Sequence, residues 1–447
     1  MRRLPETPPV IAAEKLFLAI KLMENQDVKA FVNKATDEYY HWEKVKHLPI
    51  PNGLDAQDAW AAVKVARLTQ RVTLPLVDHH GRPFHYGVHG KVQEQLHEID
   101  RWSGTNLALP EVPGLGSQAS RDRIIMNSLM EEAIATAQIE GAATTRQVAK
   151  RMLQTKRLPR DRSERMIANS FQTIRFIKER IDEPLSTELL FDIQQKITEG
   201  TLEDETATRR YRKTTEHINI VDTSDGEVIF TPPAADLLDA RMKLFFAYAN
   251  QTEHEPFLHP LIKAAILHFW LAYEHPFVDG NGRTARALLY WYMLKQGYSL
   301  FEFLTISRAI AAAPAQYYRS FLHSETDDND ATYSIMFQVK MTKNALTDLR
   351  TYLKERQTQQ GSINAALRKM PGLNHRQRSV IEDALRYPDR LYTFQGYQAE
   401  FSITYVTARN DLLALKKLNL LEETKIGRQR AFIPVEYLAE SIEAIGC

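Results

Sequence analysis

Between His275 and Arg286 the chain places a histidine, an acid, two glycines around an asparagine and two arginines within twelve residues. Pro276 disfavours helical geometry at the residue before it, so the apolar segment Leu261–Glu274 should end there and leave the His275 imidazole at its tip. An imidazole with an ordinary pKa of about 6.5 can take a hydroxyl proton near neutral pH, which makes His275 a candidate general base. Gly280-Asn281-Gly282 can adopt positive φ and let a ligand approach the backbone closely. A second apolar segment, Thr284–Leu294, follows at once, and a glycine loop running into a helix N-terminus gathers free N–H groups at the positive end of the dipole. Arg283 and Arg286 share a face in that first turn, where each opposes the dipole by roughly 0.3–1 kcal/mol. A polyphosphate between them would relieve this. Asp279 supplies an oxygen suited to Mg²⁺ bridging phosphates. A helix–loop–helix turn capped by a structural histidine accounts for the same residues without chemistry, and spacing alone leaves both readings open.

Several elements must hold these residues. Helices are expected through most of 118–357, including Ser120–Ile139, which Gly141 ends. Thr144-Thr145-Arg146-Gln147 reads as a Thr-x-x-Gln capping box for the next helix. Two short strands, 217–221 and 227–230, flank Ser224-Asp225-Gly226, an Asp-Gly turn signal, and Pro232-Pro233 stops the second. Upstream, Lys29–Lys46 reads as one helix rich in aromatics, and Asp78–Pro83 as a turn between short strands. The sequence divides into a helical and loop-rich region of unassigned role at 1–117, with a boundary among Pro110, Pro113, Gly114 and Gly116. A helical domain at 118–357, a linker at 358–373 and a distinct unit at 374–447 follow.

Composition excludes several classes. Fifty-seven basic against 56 acidic residues give a net charge of +1, so no bulk field draws the chain to nucleic acid or an anionic membrane. Apolar residues at 44% and charged residues at 25% are globular values, not those of a disordered chain. One cysteine, Cys447, forms neither an internal disulfide nor a cysteine zinc site, which fits a reduced, cytoplasmic setting. Charged residues interrupt every apolar run before it could form a signal peptide or membrane span.

The run His275-Pro276-Phe277-x-Asp279-Gly280-Asn281-Gly282-Arg283-x-x-Arg286 resembles the full signature of the Fic family, with no departure. The resemblance covers roughly residues 118–345. It implies a mainly α fold, a Fic-type helical bundle with a β-hairpin flap. It also implies an AMP transferase, in which a Ser, Thr or Tyr hydroxyl of a target protein, or of the chain itself, attacks the α-phosphate of ATP. His275 would then be the base, and Asp279 would hold Mg²⁺. Gly280, Asn281 and Gly282 would form the anion hole, Arg283 would meet the β-phosphate region and Arg286 the γ-phosphate, while Phe277 would be core. Relatives lacking the second glycine act as kinases, so Gly282 favours AMP transfer.

Two further segments extend the likeness. The 217–230 hairpin resembles the Fic flap, whose edge, with Ile218, Ile220, Val228, Ile229 and Phe230, would hold a target segment as an added strand. Thr136-Ala137-Gln138-Ile139-Glu140-Gly141 resembles the family's inhibitory motif. Thr136 and Glu140 share a helix face, and a carboxylate at a helix C-terminus wants a cation. In the family that cation is the second arginine, here Arg286, and the pairing displaces the γ-phosphate.

Residues 374–434 resemble a winged helix-turn-helix with a recognition-type helix at Thr404–Leu418, bearing Tyr405, Thr407, Arg409 and Asn410. Lys425, Arg428 and Arg430 would lie on the wing. Ten basic against seven acidic residues in this window leave a modest surplus for DNA; protein docking is the other reading. The rival to an enzyme is therefore an ATP-responsive, DNA-binding regulator that only binds nucleotide. A metal hydrolase built on His268, His275 and Asp279 is a third reading, disfavoured because the two histidines stand two helical turns apart.

Overall fold

The computed structural model describes residues 4–103, 118–221, 226–252, 257–370, 372–387, 390–426 and 429–446. The fold is mainly α-helical, as expected. Contacts divide the chain into two compact units, Met1–Asn106 with Arg123–Leu349, and Leu107–Asp122 with Arg350–Cys447. No described helix is long and apolar enough to cross a membrane.

The first unit opens with α1 (Ala13–Leu22), α2 (Gln26–Asp37), α3 (Trp42–Val45) and α4 (Ala56–Leu68). The single helix expected over Lys29–Lys46 is two, broken where Tyr39 takes a φ of +47°. An antiparallel pair, β1 (Val72–Val77) and β2 (Pro83–Tyr86), flanks the predicted turn, and α5 (Gly90–Ser103) follows. After the undescribed stretch 104–117, where the proline- and glycine-rich boundary was expected, come α6 (Gln118–Ile139), α7 (Arg146–Gln154), α8 (Arg162–Glu179) and α9 (Thr187–Thr198). The flap strands are short, β3 (Ile220–Val221) and β4 (Val228–Phe230), paired antiparallel; Ser224 and Asp225 lie outside the described residues. Then come α10 (Leu238–Asn250), α11 (Pro260–Glu274), α12 (Asn281–Lys295), α13 (Ile306–Ala311), α14 (Pro314–Thr326) and α15 (Thr332–Lys369).

Helices α11 and α12 form the centre. Both are buried on nearly every side, α11 by apolar residues and α12 with Asn281, Arg283, Thr284 and Arg286 among its buried groups, and α8, α9 and α10 pack against them. Helix α11 starts with Pro260 in its first turn and a His259 Nδ1 that accepts from Leu261 N–H at 3.1 Å. Helix α12 starts at Asn281, three residues earlier than the sequence suggested, because Gly280 enters it with a φ of +87°.

The N-terminal region is not a separate domain. Tyr39 Oη donates to Asp330 at 2.6 Å, Lys64 pairs with Asp327 at 2.8 Å, and Arg67 donates to Tyr333 Oη at 2.9 Å and to two backbone carbonyls. His85 exchanges backbone hydrogen bonds with Asn329 and Ala331. Buried polar groups require such partners, so residues 1–103 act as part of the framework under α14 and α15.

The expected capping box also differs. Thr145 is the N-cap of α7 and makes no side-chain bond, while the Thr144 carbonyl accepts from Gln138 Nε2 at 2.9 Å. Residues 358–369, expected in a linker, continue α15. Their single glycine, Gly361, costs only about 1 kcal/mol in a helix that good helix formers otherwise sustain.

The second unit contains α16 (His375–Arg386), β5 (Tyr392–Thr393), α17 (Phe394–Phe401), α18 (Tyr405–Lys417), β6 (Leu421–Ile426), β7 (Gln429–Pro434) and α19 (Leu438–Gly446). Its sheet runs β5-β7-β6, antiparallel throughout. Its core gathers Val380, Ile381, Tyr397, Leu412, Leu415 and Phe432. Gly427 and Arg428, at the expected wing tip, lie outside the described residues.

Candidate active site

His275 occupies the C-cap of α11 in the left-handed region, φ +47°, so the helix ends at the residue before Pro276. Its Nδ1 lies 3.4 Å from the Ala272 carbonyl. A carbonyl only accepts, so Nδ1 carries the proton and Nε2 presents its lone pair. Burial pushes the imidazole down to about 4, leaving it neutral and ready to accept a proton at pH 7.

Arg212, which no motif singled out, fixes this histidine. Its side chain donates to the carbonyls of His275 at 2.8 Å, Glu274 at 3.4 Å and Pro233, and its backbone N–H donates to Pro276 O at 2.8 Å. A helix C-terminus leaves carbonyls without intrahelical partners, and one buried guanidinium satisfies them here. The sequence carries Arg212 only as one charge in Arg209-Arg210-Tyr211-Arg212.

The loop is braced from within. Asn281 Oδ1 accepts from Phe277 N–H at 2.9 Å, and its Nδ2 donates to Phe277 O at 2.8 Å. The Asn281 side chain therefore shapes the loop. Phe277 is fully buried. Asp279 Oδ1 accepts from Gly280 N–H at 2.5 Å and from Arg283 at 3.1 Å, and Oδ2 from Arg162 at 3.3 Å.

The two arginines find protein partners rather than awaiting a ligand. Arg283, 2% exposed, donates to Ile197 O at 3.1 Å besides pairing with Asp279. Arg286, 6% exposed, donates from Nε to Thr136 Oγ1 at 2.7 Å and from one terminal nitrogen to Thr136 O at 3.1 Å and Glu140 Oε1 at 2.8 Å. Burial opposes the Arg286 charge, yet Glu140 and Tyr317 beside it hold the guanidinium above its usual value. The dipole argument for a polyphosphate thus meets a second solution, because buried charge must be paired whether or not a ligand is present.

Glu140 sits just past the end of α6, where Gly141 turns the chain with a φ of +92°. Its carboxylate lies over the first turn of α12, so close that a Cβ on Gly282 would stand 2.3 Å from Oε1. A cavity of about 260 Å³ brings together His275, Gly282, Glu140 and, from the flap, Ile220, Ile229 and Phe230. Tyr273, Tyr317, Tyr318 and Phe321 complete an aromatic wall. Glu325 lines it too, and burial pushes its carboxyl up to about 8, so it keeps its proton at neutral pH. Ile218 precedes the strand, Val228 is exposed, and neither lines the cavity. Arg283 and Arg286 border a different, small void with Glu132 and Tyr290. The aromatic wall and Glu325 escaped the sequence reading because α14 carries no signature of its own.

His268 is a core residue, fully buried between Tyr317 Oη at 3.1 Å and Gln338 Nε2 at 3.1 Å. Among the described residues it forms no metal-ligand group with His275 and Asp279.

Residues 184–293, which include the flap and the whole loop, match the model of the Fic/DOC family. This segment of the chain is similar to a Fic domain. A 67-residue stretch is 43% identical to a protein named protein adenylyltransferase Fic from Drosophila melanogaster, and 42% identical to its namesake from Drosophila yakuba. That stretch is 15% of this chain and 13% of each of those proteins, so the chain spans only a small part of these relatives. A Fic family protein from Desulfovibrio desulfuricans G20 aligns with a TM-score of 0.52 at 18% identity, over 77% of this chain and 95% of that one. A Fic-1 fragment from C. elegans aligns with a TM-score of 0.51 at 17% identity, over 77% and 90%. These two similarities show a shared fold.

Proposed function

We propose that this Fic-like domain is a protein adenylyltransferase held in check by Glu140. The observation that carries the reading is the Glu140 carboxylate resting between Gly282 and Arg286, in the cavity that also contains His275. An anion already occupies the head of α12, as it would in a site built for phosphate. In the proposed reaction a Ser, Thr or Tyr hydroxyl of a protein substrate gives its proton to His275 Nε2. Its oxygen then bonds to the α-phosphorus of ATP, and the bond from that phosphorus to the bridging oxygen breaks as pyrophosphate leaves. The backbone N–H groups of Asn281, Gly282 and Arg283 would receive phosphate oxygens. Arg286, once free of Glu140, would meet the γ-phosphate, and Arg283 would screen the phosphates from behind the loop. The flap would present the substrate hydroxyl as an added strand.

Asp279 fits a Mg²⁺ ion, because it is a single, partly exposed carboxylate beside the loop and Mg²⁺ binds through one or two carboxylates plus phosphate oxygens and water. When bound, the ion would neutralise phosphate charge. Incubation with α-labelled ATP tests the reading: Glu140→Gly should label protein strongly, the native chain weakly and His275→Ala not at all. Equal labelling by all three would refute it.

A second reading is an ATP-responsive DNA-binding regulator. It is favoured by the second unit, whose helices α16, α17 and α18 and antiparallel sheet follow one another in the order of a winged helix-turn-helix, with Tyr405, Val406, Arg409 and Asn410 exposed early in α18. It predicts nucleotide affinity without covalent AMP.

A further inference from the structure

Helix α14 does more than line the cavity with Tyr317, Tyr318 and Glu325. Its His323 turns to the N-terminal segment, where the ring stacks on that of His41 with centroids 4.1 Å apart and planes 6° from parallel. His41 caps α3, and Glu43 stands in the first turn of that helix. Glu43 Oε2 lies 3.2 Å from His323 Nε2. One ring nitrogen of each histidine and one Glu43 oxygen all lie within 4.8 Å of one another, the single such grouping among the described residues.

We propose that His41, Glu43 and His323 form a binding site for a divalent transition-metal ion of the Zn²⁺ or Co²⁺ type. Two imidazoles and one carboxylate suit these ions, whereas Mg²⁺ and Ca²⁺ want oxygen throughout. Metal ligation requires uncharged imidazole. Burial pushes His41 down to about 3 and also lowers His323, so both rings are neutral at pH 7. Bonds of about 2.0–2.2 Å to a tetrahedral ion need ligand atoms about 3.3–3.6 Å apart. The His323–Glu43 pair, at 3.2 Å, is close to that spacing, and His41 must turn out of the stack to bring its ring nitrogen about 1 Å closer.

Outer partners are in place. Arg319 donates to Glu43 Oε2 and the Glu6 N–H donates to Oε1 at 3.1 Å, fixing the carboxylate as outer contacts fix metal ligands elsewhere. The charged groups nearby are Arg319, Arg67 and the Lys64–Asp327 pair, so the site has two acids against three cations before the ion enters. This balance predicts moderate rather than extreme affinity. An ion here would tie the N-terminal segment to the helix that forms the cavity wall.

The test uses the untagged full chain, stripped with chelator and titrated with Co²⁺. The expected result is visible ligand-field absorption saturating at one equivalent per chain, removed by Zn²⁺. His323→Ala and Glu43→Gln should each weaken Co²⁺ binding by more than ~10-fold, while His47→Gln, at an exposed histidine outside the site, should not change it. Zn²⁺ should also raise the melting temperature of the stripped native chain, which keeps the test decisive if one variant fails to fold. No absorption from the native chain, or absorption undiminished in the folded His323→Ala or Glu43→Gln variant, overturns the proposal.

Discussion

Glu140 Oε1 accepts a hydrogen bond from the Arg286 guanidinium at 2.8 Å, across 146 residues of chain. The arginine is buried and the acid is about a quarter exposed, so the pair is shielded enough to matter. A charge-assisted bond of this kind contributes about 1.5–3 kcal/mol. A nucleotide phosphate entering at Arg286 must displace it. Glu140→Gly should therefore lower the KM for ATP and raise AMP transfer, together by roughly 10- to 100-fold. Initial rates with α-labelled ATP check this, and an unchanged KM and rate would count against it.

Gly282 gives a separate handle on the same place. An alanine there meets Glu140 Oε1 at 2.3 Å, so the carboxylate must move. The methyl group would also cover the backbone N–H groups at the head of α12, where losing a stabilising donor costs on the order of 100-fold. Gly282→Ala should thus stay slow even when combined with Glu140→Gly. A double variant as fast as Glu140→Gly alone would show that the first turn of α12 does not cradle phosphate.

The turn from His275 to Arg286 was legible in the sequence because its geometry is local: a proline stops the helix at the histidine, and Gly280 opens the next one. Glu140 was legible only through a resemblance, since nothing in 136–141 states which cation it meets. Arg212, Glu325 and the Tyr317–Tyr318 wall were not legible. Their roles arise from tertiary packing: Arg212 reaches the carbonyl of a residue 63 positions away, and Glu325 and the tyrosines share a cavity with Glu140 from a distant helix. The same holds for Tyr39 and Arg67, whose partners at Asp330 and Tyr333 turn an expected separate region into part of the core. The break at Tyr39 was missed because no glycine or proline marks it, and Arg67 secures it from outside by binding the Ala35 and Tyr40 carbonyls.

Arg212→Met keeps much of the apolar bulk and removes the donors that hold the His275, Glu274 and Pro233 carbonyls. Each buried carbonyl left without a donor costs about 1–3 kcal/mol. The expected result is a clear loss of melting temperature, together with a fall in kcat larger than any rise in the KM for ATP, because the residue positions the base rather than the nucleotide. A change confined to KM would remove Arg212 from that role.

Stability should fall in mild acid. Burial pushes His275 and His89 down to about 4, and His41 and His268 down to about 3, from an ordinary value near 6.5. Between these limits the unfolded chain binds more protons than the folded one, so unfolding free energy rises with pH. The stabilisation is fully present above about 6.5 and is lost as pH falls towards 4, at about 1.4 kcal/mol per unit for each group. Urea midpoints at pH 7.5 and about 5 check this, and equal midpoints would contradict it. The acid limb of AMP transfer should likewise reflect protonation of His275, remaining flat above about pH 5.5.

The second unit can be tested through one acid. Glu423 accepts from Lys416 at 2.6 Å and from Arg430 at 2.5 and 2.9 Å, so a single carboxylate occupies two of the unit's cations. Arg376 and Arg390 are also engaged, with Asp411 and Asp383. If α18 and the β6–β7 hairpin face DNA, about three phosphates are neutralised, and raising salt from ~50 to ~200 mM should weaken binding roughly 40-fold. Glu423→Ala removes solvent-screened ion pairs, which contribute little to stability, and it frees both cations. Tighter DNA binding with a steeper salt dependence should follow in fluorescence anisotropy. Binding that is absent or indifferent to salt in both proteins would assign this unit to protein docking instead, since duplex DNA cannot be held without releasing counterions.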